Sequence, residues 1–254
     1  LSDFGEKRLA SFPDRILREV QSTPVGILPK IPSAQAEDAE AEEGSAPQPE
    51  PQSLKALFKR YPVDQAHARR VADHALALFD ELSSFHWLPG ERRSLLETAA
   101  MLLNIGLASS SNRHHVTGRD ILLAYPPEEL EEQERLMVAL ITYLHRKQIT
   151  AKKLKKKTSG DPFDLLPKRA REEALALSAL VRVADGLDYS QTQSSALGRI
   201  LKREGLVGIV VTGPYAAIDA ARAQEKGDLW QLLFESELRF RPAHLADDLM
   251  PSPT

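Results

Sequence analysis

The run Ala99-Ala100-Met101-Leu102-Leu103-Asn104-Ile105-Gly106-Leu107 constrains this chain more than any other stretch. It is apolar at nearly every position, so it reads as the end of a helix surrounded by protein, closed by Gly106. Such a helix, over about 91–105, turns Leu95, Leu96, Ala99, Leu102 and Leu103 inward and needs other helices around it. The chain just upstream supplies one. Helical spacing over 63–82 aligns Val71, Ala75, Leu78 and Leu82 in one stripe, with Asp64 placed to cap the start. His67 and His74 lie on that same stripe, and Trp87, Pro89 and Gly90 make the turn between the two helices.

Downstream, the polar segment 108–118 (ASSSNRHHVTG) reads as a loop holding His114 and His115, followed by a short helix at 119–124. A long helix over 128–146 buries Leu136, Leu140, Tyr143 and Leu144 and ends near His145. Residues 152–157 then place five lysines in six positions, Lys152, Lys153, Lys155, Lys156 and Lys157, and read as a flexible basic loop. The helix predicted over 167–189 carries Leu175, Ser178, Val181, Arg182, Asp185, Asp188 and Tyr189 along one side. Short β-prone runs at 206–212 and 215–219 suggest a hairpin or small sheet, and helical spacing returns over 220–238.

The 33 basic and 36 acidic residues leave a net charge of −3, so the whole-chain balance does not single out a nucleic-acid binder. The charge is uneven, however. Residues 33–53 hold six acidic residues, no basic ones and three alternating prolines, which makes a solvated linker. Residues 1–32 read as a tail or the end of an upstream domain, with Leu9, Phe12, Ile16, Leu17 and Val20 at helical spacing as a second, docking reading. The expected organisation is 1–32 tail, 33–53 linker, 54–240 globular domain and 241–254 terminal tail. There is no cysteine, which fits a cytoplasmic protein, and no apolar run of membrane-spanning length, so no membrane partner is expected. The chain begins with Leu; the expectation is a fragment or processed form, with a catalytic domain standing outside it.

Five pieces in order carry a resemblance: His67-x-x-Arg70-Val71, AAMLLNIGL, His115 shortly before a short helix, YLHRK at 143–147 and LVRVADGLDYS at 180–190. Together they resemble the C-terminal HD-like domain of the exopolyphosphatase and guanosine pentaphosphate phosphatase family. The resemblance implies a mainly α, HD-domain-like helical bundle with a small C-terminal β-sheet and final helix. It also implies a domain associated with dimer formation and with holding polyphosphate, while the phosphatase chemistry belongs to a separate domain with glycine-rich phosphate loops. No such loop is present in this sequence.

An active site of the HD type would carry His-Asp where this chain has Leu103-Asn104, and a second histidine where it has Thr117. By position, the resemblance leaves His67, His115, His145 and Asp185 as remnant ligands for a divalent metal such as Mg or Mn. The plainer readings stand beside it: hydrogen-bonded core histidines at 67 and 74, a solvated loop or helix end at 114, 115 and 145. Arg182, Asp185 and Asp188, at spacings of three, read either as a structural ion pair or as part of a remnant site. The lysine run, extended by Lys147, Lys168 and Arg169 (and flanked by Arg171), is the expected contact for polyphosphate or a phosphorylated small molecule. It lacks the aromatic platforms or groove helix of specific nucleic-acid recognition. The expected function is therefore a non-catalytic binding or homodimerisation module without a cofactor. The alternatives are a phosphohydrolase with an altered metal site and a pure scaffold.

Overall fold

The structure, a computed structural model, describes residues 49–249. The docking helix read within 1–32 and the acidic spacer up to residue 48 lie outside the described residues, as do residues 250–254. Helix α1 (Leu54–Arg60) is capped by Ser53, whose hydroxyl accepts from Ala56 N. Helix α2 (Gln65–Glu81) is capped by Asp64, whose carboxylate accepts from Ala66 N and His67 N. Its stripe Val71, Ala75, Leu78 and the following Leu82 is fully buried. After the short α3 (Ser83–His86), helix α4 (Arg92–Leu102) brings in the apolar run that begins at Ala99.

That run ends differently from a glycine-capped helix. The chain tightens into a 3₁₀ turn (Ile105–Ala108), and Gly106 keeps an ordinary negative φ. The glycine is required by close approach: a Cβ there would overlap His114 O and lie 2.5 Å from Gly118 N. Both atoms belong to α5 (His114–Ala124), which starts five residues earlier than expected, so His114 and His115 sit on its first turn rather than in a loop. Helix α6 (Glu132–Leu144) opens with a capping box between Glu131 and Glu134.

The lysine run is also helical, as α7 (Ala151–Thr158). Thr150 caps it by accepting from Lys153 N, Leu154 is buried as its anchor, and the lysines of the last turn complement the helix dipole. Helix α8 (Lys168–Gly186) then runs through the centre, buried on all sides from Ala174 to Ala184, and packs against α2, α4 and α6.

A three-stranded sheet completes the fold: β1 (Ala196–Arg203), β2 (Leu206–Thr212) and β3 (Glu237–Pro242), in the order β1-β2-β3. The hairpin is β1 with β2, antiparallel, while β2 and β3 are parallel, in register Val207↔Leu238 and Ile209↔Phe240. A parallel pair needs a crossover, and α9 (Ala216–Lys226) with α10 (Asp228–Leu233) provides it. Residues 215–219, read as β-prone, therefore lead into helix α9. Fully buried Asp219 accepts from Ser190 N (2.8 Å), Ser190 Oγ (2.9 Å) and Ser195 Oγ (2.6 Å), which pins the helix start. The fold is mainly α with a small terminal sheet, as expected, and it ends in a 3₁₀ turn (Ala243–Leu249).

The packed unit is longer than 54–240. Glu50 N donates to Ala124 O and Gln52 N to Pro126 O, so the end of the expected linker pairs with the chain after α5. At the other end, β3 runs on to Pro242 and the turn after it packs on β2 and β3.

Gly106 sets where α5 lies, so Gly106→Ala is expected to lower stability by about 1–3 kcal/mol through overpacking. Urea denaturation of the two proteins measures it. A variant within about 0.5 kcal/mol of the parent, the range of an ordinary surface change, would show that the approach of α5 is not tight.

Candidate functional site

At the C-terminal end of α8, two carboxylates meet one imidazole. His67 on α2 places Nδ1 2.8 Å from Asp188 Oδ2 and Nε2 3.3 Å from Asp185 Oδ1. An ionised carboxylate only accepts, so Nδ1 donates to Asp188, and Nε2 lies within ion-pairing reach of Asp185. Burial opposes a charge on the ring, yet Asp185 and Asp188 outweigh it and raise the His67 pKa. Asp188 is fully buried and also accepts from Gln193 N at 2.8 Å. The second oxygen of Asp185 takes the ammonium of Lys226, from the last turn of α9. Burial alone would raise the Asp185 pKa; Lys226 and His67 instead hold the carboxyl well below the usual carboxylate range. His67, Asp185, Asp188 and Lys226 thus form a closed quartet, which holds two positive and two negative charges when His67 is protonated.

A second cluster lies between α5 and the end of α6. His145, buried at the C-cap of α6, donates from Nδ1 to Thr142 O at 2.6 Å. Its Nε2 faces His114 Nε2 at 3.1 Å. Arg146 ties this corner together by donating to Ser111 O (3.0 Å) and Asn112 O (2.8 Å). The partner of His145 is thus His114, where the sequence pointed to His115. Neighbouring residues on a helix point about 100° apart, and a segment read as a loop offers no phase by which to choose. His115 instead turns to Tyr143, with ring planes 10° apart, and its Nδ1 is buried without a hydrogen-bond partner.

In place of the expected ion pair among Arg182, Asp185 and Asp188, Arg182 takes Asp228 while Asp185 and Asp188 share His67. The buried Arg182 guanidinium donates to Asp228 Oδ1 (2.5 Å), Leu144 O (2.6 Å) and Lys147 O (3.0 Å). It therefore satisfies carbonyls left open at the end of α6, a need that Asp185 could not meet.

The expected remnant ligands are not brought together as a set. His67 and Asp185 meet, His145 meets His114, and His115 faces Tyr143. Leu103 is buried and brings no donor. Both oxygens of Asp185 are engaged, and among the described residues no three His, Asp or Glu side chains are arranged to hold a metal ion. These residues do not fit the divalent centre of an HD phosphohydrolase.

Cations gather beside this cluster. On α6, Tyr143 has Lys157 Nζ 3.5 Å and the Arg119 guanidinium 4.5 Å from its ring centroid. Lys157 also donates to Tyr143 O at 3.1 Å. Burial, then Arg119, Arg182 and Lys153, push its pKa down to about 8. Burial likewise lowers His115 to about 4, aided by Lys157, His114, Arg146 and Lys147. For both groups every charged contributor is a cation. Lys152, Lys153, Lys155 and Lys156 are exposed on α7, as is Lys147 before it, and Lys168 is exposed at the start of α8. Arg169 is exposed but pairs with Glu173 at 2.9 Å, so its charge is already answered. Arg119 and Arg146 do not stand out in the sequence by itself. Arg119 follows His115 by one helical turn, a signal that becomes usable once α5 is known to begin at His114.

These charges set the pH response. His74, His86, His114, His115 and His145 are all held below 6.5, chiefly by burial. The unfolded chain takes up those protons first, so each costs stability as pH falls below 6.5. His67 acts oppositely: its contribution is complete below pH 6.5 and is lost as pH rises through its raised pKa. Asp185 contributes above pH 3.8 and loses its contribution as pH falls through its lowered value. The urea midpoint is therefore expected to fall from pH 6.5 to about 4, the level of His74 and His115. Above pH 6.5 the parent should lose stability as pH rises through the raised pKa of His67, a loss that His67→Asn does not show. A flat parental profile below pH 6.5, or the same loss above it in the variant, would contradict these charge states.

No helix among the described residues is long and apolar enough to cross a membrane. The family described as Ppx/GppA phosphatase, domain III, matches residues 51–250, from the segment that pairs with the end of α5 to the turn after β3. A match over most of the chain, on a helical bundle with a small terminal sheet, shows that this chain belongs to the Ppx/GppA phosphatase domain III family.

Proposed function

We propose that this chain is a non-catalytic accessory module that holds polyphosphate, or another phosphorylated ligand, against the basic face formed by α7 and the Tyr143 corner. The observation that carries this reading is a gathering of cations around Tyr143 and His115, namely Lys157, Arg146, Lys147 and Arg119, of which Arg119 also pairs with Asp120 at 2.6 Å. The exposed lysines of α7 stand beside them. Lys152, Lys155 and Lys156 share one side of the helix at spacings of three and four, while Leu154 anchors the opposite side. A helix of eight residues is about 12 Å long, which presents the charges as a row suited to a linear chain of phosphates. Binding then draws on release of the polymer's counterions. Lys168 extends the charge weakly, and Arg169 contributes little because Glu173 holds it.

The module works in the cytoplasm on this reading, and as a homodimer it would offer two such rows to one polymer. The phosphohydrolase alternative asks for carboxylate and imidazole donors that the charge quartet already uses.

Fluorescence anisotropy with labelled polyphosphate of defined length tests the proposal. Replacing Lys152, Lys153, Lys155 and Lys156 by Ala is expected to weaken binding at least tenfold at about 0.1 M salt. The slope of log K against log salt should shrink by roughly 0.7–0.9 for each phosphate that no longer meets a lysine. Unchanged affinity and slope in a folded variant, or no binding by the parent, would overturn it.

A further inference from the structure

Resting on the polyphosphate reading, we propose that the corner around Tyr143 is a separate subsite for one terminal phosphoryl group, so that the module holds a polyphosphate by its end as well as along its length. A terminal phosphoryl group carries more charge than an internal one and presents three acceptor oxygens. A compact cluster of cations suits it better than an open row does.

Lys157 is set apart from the rest of α7. Lys152, Lys153, Lys155 and Lys156 are exposed, whereas Lys157 is half-buried, with its ammonium on the Tyr143 ring and a hydrogen bond to Tyr143 O. An ammonium has three N–H donors, so most of its capacity is left open. The charges that bear on it, from Arg119, Arg182 and Lys153, are all positive. Arg182 is answered by Asp228 and Arg119 by Asp120, which leaves Lys157 as the group in need of an anion. Lys153 lies one turn before it on α7 and is exposed, so the two cations lead from the row into the corner. A chain of phosphates laid along α7 meets the exposed lysines with its middle and reaches Lys157 by turning its end inward.

Two further features mark the same place. His115 is 6 % exposed, and its Nδ1 is buried with no hydrogen-bond partner, a rare condition for a buried polar atom and one that calls for a group from outside the chain. With its proton on Nδ1, the neutral imidazole donates to a phosphoryl oxygen. Lys157 and His115 both lie against one ring: the Tyr143 centroid is 3.5 Å from Lys157 Nζ and 6.1 Å from the His115 ring. Lys147, whose charge His115 also feels, follows α6 at φ +67°, a left-handed position that glycine takes at less cost. Its carbonyl accepts from Arg182 at 3.0 Å, which holds the turn. The fold thus keeps a cation beside His115 where backbone preference favours glycine.

Isothermal titration of the full chain with a short linear polyphosphate, and with a cyclic polyphosphate of equal charge that has no terminal group, tests the subsite. The parent is expected to bind the linear form about tenfold more tightly, the scale of one hydrogen bond to a charged group. Lys157→Met is expected to bring the two forms within about twofold of each other. His115→Phe, which keeps a ring against Tyr143 but no ring nitrogen, should narrow the gap as well, and it serves alone if Lys157→Met does not fold. Replacing the four exposed lysines of α7 by Ala should weaken both forms and preserve their ratio. Equal affinity of the parent for both forms would overturn the end subsite and leave the polyphosphate reading standing. A linear preference that survives in folded Lys157→Met or in His115→Phe, or one that disappears with the α7 lysines, would overturn it too. A parent that binds neither form overturns both readings.

Discussion

Helix α8 is buried along most of its length, yet it carries charges that have to be answered from other elements. Burial of an unpaired ion costs several kcal/mol, so each of these charges dictates a neighbour. Glu173 takes Arg92 from the start of α4. Arg182 takes Asp228 and the open carbonyls at the end of α6. Asp185 takes Lys226 from α9 and shares His67 of α2 with Asp188. Apolar packing alone would let helices slide over α8. These pairings fix which turn of each neighbour lies against which turn of α8, a register role of the kind that buried polar groups serve in helical assemblies.

Answering the charges of α8 internally has an effect on the surface beside it. With His67 protonated the quartet sums to zero, and Arg182 is matched by Asp228. Arg119, Arg146, Lys147 and Lys157 lie outside this interior system around Tyr143 and His115, and burial, then Arg119, Arg182 and Lys153, push Lys157 down to about 8. Tyr143 lessens their mutual repulsion by offering a π face and a backbone carbonyl. A phosphate would lessen it further, and α7 adds lysines at the edge of the same field.

What the sequence revealed was mostly local. The stripe Val71, Ala75, Leu78 and Leu82, the Asp64 cap and the central character of α8 follow from spacing within a single helix, and the structure has all three. The partners were harder to read because they are long-range. Arg182 bonds an acid 46 residues away and Asp185 an ammonium 41 residues away, so neighbours three positions distant looked like the better match. The start of α5 depends on contact with Gly106, and without that start His115 could not be told from His114. The lysine run looked like a loop because five like charges repel. One hydroxyl cap at Thr150 and one buried leucine at 154 were enough to hold it as a helix.

Asp185 and Asp188 bring two carboxylates to the end of a largely buried helix, and Leu103 and Asn104, at the end of α4, carry no positive charge to meet them. Left unanswered, that charge would destabilise the fold. Here His67 bridges both acids, and an ammonium delivered by the crossover helix completes the balance. The charges of α8 are thus met by groups of the chain itself, and the pairing of Asp185 with Lys226 is legible only where α9 meets α8.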